Sequence, residues 1–199
     1  LSLGARPSDM PTKQAAAAVG QCELMYVYDK LFSEYNHTVA QILITGSDVQ
    51  HKDRYENFSN TVNRLLELGA LPVINENDTV ATEISLGDND TLAAIVAVSI
   101  NADLLVLLSD IDGLYTADPH KDKNAKLIEC VEEITPEILE LGGGKGTALG
   151  TGGMKTKLHA AQICMEKGCD MIIANGSRPS LLYDLLDGKS VGTKFVCKK

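Results

Sequence analysis

The sequence predicts an α/β fold: a mostly parallel sheet sandwiched between helices. Three observations lead there. Apolar, strand-like runs alternate with amphipathic helical patterns along the chain. One run, Leu104 to Leu108, is apolar on both faces, as a central parallel strand should be. Asn-, Asp- and Gly-rich turns follow several of these runs, where α/β proteins present ligand-binding groups. At 199 residues, one well-buried domain spanning 1–199 is the expectation.

Taken in order, Leu1 to Met10 reads as a linker, being short, Gly- and Pro-containing and without periodicity. A long Ala-rich helix runs from Pro11 or Thr12 to about Tyr35, with Ala15, Ala18, Val19, Cys22, Met25, Tyr26 and Leu31 as its inward face. Thr38 to Thr45 is a strand followed by a Gly46-Ser-Asp48 turn. Tyr55 to Leu68 is a helix with Phe58, Val62, Leu65 and Leu66 on one side and Gly69 as its stop. Then come a strand Leu71 to Asn75, an acidic loop, a helix from Thr91 to about Ile100 and the strand Asp103 to Leu108. Lys126 to Val131 reads as a further strand, Pro136 to Leu141 as a short helix and Gly142 to Gly153 as a glycine-rich loop. The helix Met154 to Lys167 stops at Gly168; a strand at Asp170 to Ala174, a helix at Ser180 to Leu186 and an edge strand at Thr193 to Val196 finish the chain.

Composition narrows the function. With 18 Lys and Arg against 27 Asp and Glu, the formal charge is -9, which argues against nucleic acid, whose phosphates are held by surplus cations. No apolar run approaches bilayer-spanning length, so no membrane partner is expected. Five scattered cysteines without metal spacing fit a reducing, cytoplasmic setting, and Cys164 and Cys169 read as small buried apolar residues. The four histidines show no metal spacing, and no Ser/His/Asp or Cys/His constellation can be argued; no metal-ligating side chain is called.

Chemistry concentrates in three stretches. Three aspartates and three asparagines fall within the sixteen positions from Asn75 to Asp90, more than turn and cap preferences alone require. Ser109-Asp110-Ile-Asp112-Gly113-Leu-Tyr115-Thr-Ala-Asp118-Pro119 leaves the carboxyl end of the most apolar strand; its bland reading is a tight Asp/Gly turn. Gly150-Thr151-Gly152-Gly153-Met154-Lys155-Thr156-Lys157 combines close-approach glycines, free amides at a helix start and two lysines, an arrangement suited to phosphate. It is neither a Walker A loop nor a dinucleotide fingerprint.

Together these residues resemble the amino acid kinase family. The Ser109-to-Pro119 turn is shared widely in that family. Ala17-Ala-Val-Gly-Gln21, Asn75-Glu-Asn-Asp78-Thr-Val-Ala81, Gly87-Asp-Asn-Asp90-Thr-Leu-Ala-Ala94 and Gly150-to-Lys157 are more specific, resembling the members that phosphorylate glutamate on its side-chain carboxylate. The resemblance, from about residue 12 to Thr193, implies that Asp78, Asp88 and Asn89 hold glutamate. It also implies that Ser109, Asp110, Thr151, Gly152, Gly153, Met154, Lys155, Thr156 and Lys157 hold ATP, with Mg²⁺. Lys157 and Asp90 would be catalytic, Asp90 orienting lysines around the transferring phosphoryl group. Homo-oligomers and proline as a feedback inhibitor are further implications. A sister kinase for another acid, or a non-catalytic nucleotide- or amino-acid-binding fragment, is the alternative. Family members carry an earlier strand with Lys-x-Gly-Ser/Thr, and many a C-terminal RNA-binding-like domain. This chain is expected to lack both, and so at least a βαβ unit of about 30 residues at its N-terminus.

Overall fold

The structure is a computed structural model and describes residues 7–80, 88–119, 121–143 and 153–198. Contacts gather into two compact units, Leu1–Leu92 and Ala93–Lys199.

In the first unit, α1 (Met10–Ser33), β1 (Val39–Ile44), α2 (Gly46–Gln50), α3 (Lys52–Glu67) and β2 (Leu71–Glu76) follow one another. α1 begins at Met10 because Asp9 accepts the Thr12 amide at 2.9 Å, an N-cap just ahead of the Pro11 that suits a first turn. β1 and β2 pair in parallel, Val39 opposite Leu71 and Ile44 opposite Glu76, so their carboxyl ends lie side by side. α1 packs on β1 and α3 on β2.

Two expectations need correction here. The inward face of α1 is rotated by about one residue: Ala15, Ala18, Val19, Cys22, Tyr26 and Leu31 are exposed, while Gln14, Ala17, Gln21 and Met25 are partly covered. The helix is apolar on most sides, so its apolar periodicity carries little directional information; the side that meets the strands is the one on which Gln21 donates to Gln41 and accepts from Asn75. The expected turn at Gly46 is instead the helix α2. Thr45 caps the Asp48 amide while the Asp48 carboxylate accepts the Thr45 amide at 2.8 Å, a capping box with Asp in third place. In α3, Phe58, Val62 and Leu65 turn inward as expected, but Leu66 is 47% exposed, one position off that stripe.

α4 (Asn89–Ser99) spans the boundary between the units. The second unit continues with β3 (Leu104–Ser109), β4 (Cys130–Val131), α5 (Pro136–Leu141), α6 (Gly153–Glu166), β5 (Asp170–Asn175), α7 (Leu181–Leu186) and β6 (Thr193–Phe195). Its sheet runs β3-β5-β6-β4; β3 pairs with β5 and β4 with β6 in parallel, and β5 with β6 antiparallel. With β1–β2, three of the four strand pairs among the described residues are parallel. The α/β reading, with a mostly parallel arrangement, therefore holds.

β5 carries the layering. Met171 and Ile173 pack with Leu158, Ala161 and Cys164 of α6, whereas Ile172 and Ala174 pack with Leu181 of α7. Successive strand side chains alternate between faces, so α6 and α7 cover opposite sides. The five cysteines are free thiols, and burial pushes the Cys164 thiol up to about 12, in keeping with its reading as a small apolar residue.

The strands differ from expectation in three places, two in order and one in extent. β3, read as central, pairs among the described residues with β5 alone, and Leu104 and Leu108 remain 42% and 48% exposed. A continuous apolar run reports β structure but not the number of its neighbours. β6, read as an edge, lies between β5 and β4 with Thr193 and Phe195 fully buried. Its approach requires Gly192, at φ +65°, where a Cβ would lie 2.0 Å from the Ile173 carbonyl oxygen. The strand expected over Lys126 to Val131 shrinks to β4 plus a single bridge between Tyr115 and Leu127.

Asp170 ties β5 to the chain end. It accepts the Cys197 amide at 3.0 Å and lies 2.9 Å from the Lys194 ammonium. Burial alone would raise its pKa, but Lys194 and the Cys197 amide overcome that and hold the carboxyl below its usual range. A depressed folded-state pKa contributes stability that is fully present above the unfolded value of about 3.9 and fades as pH falls through the folded one. Asp170→Asn is expected to cost about 1 kcal/mol in denaturant unfolding at pH 7. The gap from the unsubstituted protein should close at more acid pH; a gap that persists there would exclude the carboxylate as its source.

Candidate functional site

The paired ends of β1 and β2 open onto a cavity of about 300 Å³. Ala17, Gly20, Gln21 and Leu24 wall it from α1, Leu43 from β1, and Asn75 to Thr79 from the end of β2 and its turn. The turn is held by its backbone: the Asn77 amide donates to the Ile44 carbonyl at 2.8 Å, and the Val80 amide to the Asn77 carbonyl at 3.2 Å. The Thr79 hydroxyl donates to the Asn77 side chain. Asp78 is exposed at the rim. Asn75 Nδ2 donates to Gln21 Oε1 at 3.1 Å, so the floor and the α1 wall are directly linked.

Of the acidic and amide residues read from the sequence, Asn75, Asn77 and Asp78 share this cavity. Asp88, Asn89 and Asp90 stand at the start of α4. Asp88 accepts the Thr91 amide at 2.9 Å and the Thr91 hydroxyl at 3.1 Å, so it caps the helix. Asn89 is exposed and Asp90 half-buried.

In the second unit, Ser109 ends β3 and donates to Asp110 at 3.1 Å. Just beyond, a cavity of about 500 Å³ lies at the carboxyl ends of β3 and β5, lined among others by Asp112, Tyr115, Asn175, Arg178, Asp184 and Lys189. Asp112 accepts from Asn175 Nδ2 at 2.8 Å and from the Tyr115 hydroxyl at 3.1 Å. Burial first, and the Asp112 carboxylate second, push the Tyr115 phenol up. Lys189 bridges to Asp184 at 2.6 Å and holds that carboxyl low. Ser109 and Asp110 do not line this cavity; their neighbours in the turn do.

Thr151 and Gly152 of the glycine-rich stretch lie outside the described residues. Gly153 opens α6 and Met154, Lys155, Thr156 and Lys157 follow on it, the Thr156 hydroxyl donating to the Gly153 carbonyl at 2.9 Å. Lys155 is exposed. Lys157 is 9% exposed, and a lysine is rarely so covered unless its ammonium is paired or in use. Among the described residues no three His, Cys, Asp or Glu side chains gather into a metal cage, and no helix is long and apolar enough to cross a membrane.

The family model for the amino acid kinase family matches residues 3–175. The chain belongs to the amino acid kinase family. All of this amino acid kinase aligns with glutamate 5-kinases from Carboxydothermus hydrogenoformans at 54% identity, Clostridium acetobutylicum at 52% and Clostridium perfringens at 48%. It spans 54%, 74% and 76% of those proteins, respectively. Among solved structures it is similar to carbamate kinase from Giardia lamblia bound to AMP-PNP, with a TM-score of 0.65 at 18% identity, covering 93% of this chain and 73% of that one. Isopentenyl phosphate kinase from T. acidophilum gives a TM-score of 0.58 at 19%, covering 88% and 66%. At such identities these two establish the fold alone.

The sequence alone gives Gln21 and Gly20 no individual role within the Ala17-to-Gln21 stretch. Their signal was two helix positions, one polar and one without a side chain, inside an otherwise apolar pattern. A Cβ at Gly20 would meet no atom within 4 Å. Gly20→Ala is therefore expected to stabilise the protein by about 0.5–1 kcal/mol through backbone entropy, seen as a melting-temperature rise of about 1–4 °C. A fall would mean that the added methyl finds the space already taken.

Proposed function

We propose that the protein transfers the γ-phosphoryl group of ATP to the side-chain carboxylate of L-glutamate, giving glutamyl 5-phosphate, the first step of proline biosynthesis. The observation that carries this reading is identity of about half to glutamate 5-kinases over the whole length of the chain. The first-unit cavity, near 300 Å³, is at the small end of ligand pockets, a size suited to one amino acid, with amides and the carboxylates of Glu76 and Asp78 in its lining.

In this reading Asp78 and Asn89, with Asp88 beside them, hold glutamate. Asp88 does so from a capping position, its backbone and side chain fixing where Asn89 stands. Ser109, Asp110 and the stretch Thr151 to Lys157 hold ATP. The substrate carboxyl, of pKa about 4.3, is ionised at neutral pH, so attack on phosphorus needs no general base. The difficulty is charge: an anion must approach a triphosphate. Lysines, backbone amides and Mg²⁺ relieve it, and alignment supplies the rest of the acceleration. Mg²⁺ needs only one or two protein oxygens when phosphates supply the others. Covered as it is, Lys157 would act with little competing water, and Asp90 would orient it and the other lysines. The same reading makes this a cytoplasmic homo-oligomer with proline as an inhibitor.

Steady-state kinetics of the full-length enzyme test the roles. Lys157→Ala is expected to lower kcat by a factor of about 100 or more, the usual size when one charge-stabilising group is lost, with glutamate KM within a few-fold. Asp78→Ala is expected chiefly to raise glutamate KM. Unchanged turnover in the first, or an unmoved KM in the second, removes that residue from its role.

A further inference from the structure

The cavity of the first unit has a wall to which the proposed function assigns nothing. Gln21 stands on α1 next to the exposed Gly20, and its carboxamide is engaged at both ends. The direction of each hydrogen bond follows from one group whose role is beyond choice. The Glu76 backbone amide can only donate, and it donates to Asn75 Oδ1 at 2.9 Å. Asn75 must then present Nδ2 to α1, and it donates to Gln21 Oε1 at 3.1 Å. Gln21 in turn has only Nε2 left, which donates to Gln41 Oε1 on β1 at 3.1 Å. A single polarised chain thus joins β1, α1 and the last residues of β2. It ends two residues before Asp78.

We propose that Gln21 is a positioning residue for the amino-acid substrate, holding the Asn75 side chain, and through it the backbone at Glu76, so that the Asn77-Asp78 turn stands at a fixed height over the cavity. The inference rests on the reading of this cavity as the glutamate site. Its physical content is entropic and geometric. Asn75 is half-buried, and without Gln21 its Nδ2 would have to seek water or turn away, releasing the Glu76 amide as it goes. A carboxamide is the one uncharged side chain of this length that accepts from Asn75 while donating to Gln41. Glutamate at this position would still accept from Asn75, but would add a negative charge to a wall facing an anionic substrate. Gln21 need not touch the reacting atoms for any of this.

The test uses full-length enzyme with glutamate and ATP varied in turn. Gln21→Met keeps the length and helical preference while removing both hydrogen bonds. It is expected to raise glutamate KM about three- to tenfold, the effect of one hydrogen bond, with kcat and ATP KM within about twofold. Asn75→Ala should match it, and the double variant should be no worse than the worse single one, because both break the same chain. Gln41→Met, which cuts only the outer end, should leave glutamate KM within about twofold. If Gln21→Met fails to fold, Asn75→Ala and Gln41→Met carry the same contrast. Effects of Gln21→Met and Asn75→Ala that multiply, a glutamate KM that does not move, or equal changes in both KM values would overturn the inference. Wild-type enzyme that turns over no glutamate would overturn the functional reading first and this inference with it.

Discussion

Parallel pairing in register is the constraint on which the rest of the structure depends. When Ile44 lies opposite Glu76, and Ser109 opposite Asn175, both strands of a pair end at the same rim, and whatever follows each strand must share one small space. The two cavities lie at such rims. Asn75 to Thr79 and Leu43 meet at one, and Asp112, Tyr115 and Asn175 at the other. Backbone groups leave the ladder at these points, so they are satisfied by turn residues or offered to a ligand. Asn and Asp suit both uses, which is why the same residue types can cap α4 and line a cavity.

Within the second unit, β5 makes the layered arrangement possible. Its alternate side chains serve different helices, Met171 and Ile173 toward α6 and Ile172 and Ala174 toward α7, and all four are almost wholly buried. β6 closes against it only because Gly192 has no side chain to meet the Ile173 carbonyl, and because Thr193, though polar, accepts the Leu114 amide at 2.7 Å. An apolar face at α6 keeps that helix fixed while its first turns carry Thr156 and the covered Lys157. A scaffold of this kind holds an ammonium group in place at little further entropic cost.

Much of this is legible in the amino-acid sequence. Strand and helix identities followed from periodicity, with Pro136–Leu141 as expected and most other ends within a few residues. The Asn75–Asp78 and Ser109–Tyr115 turns announced themselves by composition. Errors arose where a local pattern was ambiguous or a partner lay far along the chain. α1 is apolar on most sides, so its orientation is not set by local pattern, and its inward side is marked by hydrogen bonds between Gln21 and residues 20 and 54 positions away. α2 was hidden because Gly46-Ser-Asp reads equally as a turn, and only the reciprocal bonds of Thr45 and Asp48 select the helix.

The sequence by itself determined the class of fold, the family and the chemical character of the candidate residues, since these depend on residue types at short spacing and on motifs quoted whole. Tertiary structure alone decided that β6 is interior, that β3 has one strand partner among the described residues, that Asp88 caps Thr91, and that Gln21 and Asn75 form a wall and floor in contact. Each of those depends on groups distant in sequence competing for the same space or the same hydrogen bond, and no local pattern records the outcome of that competition.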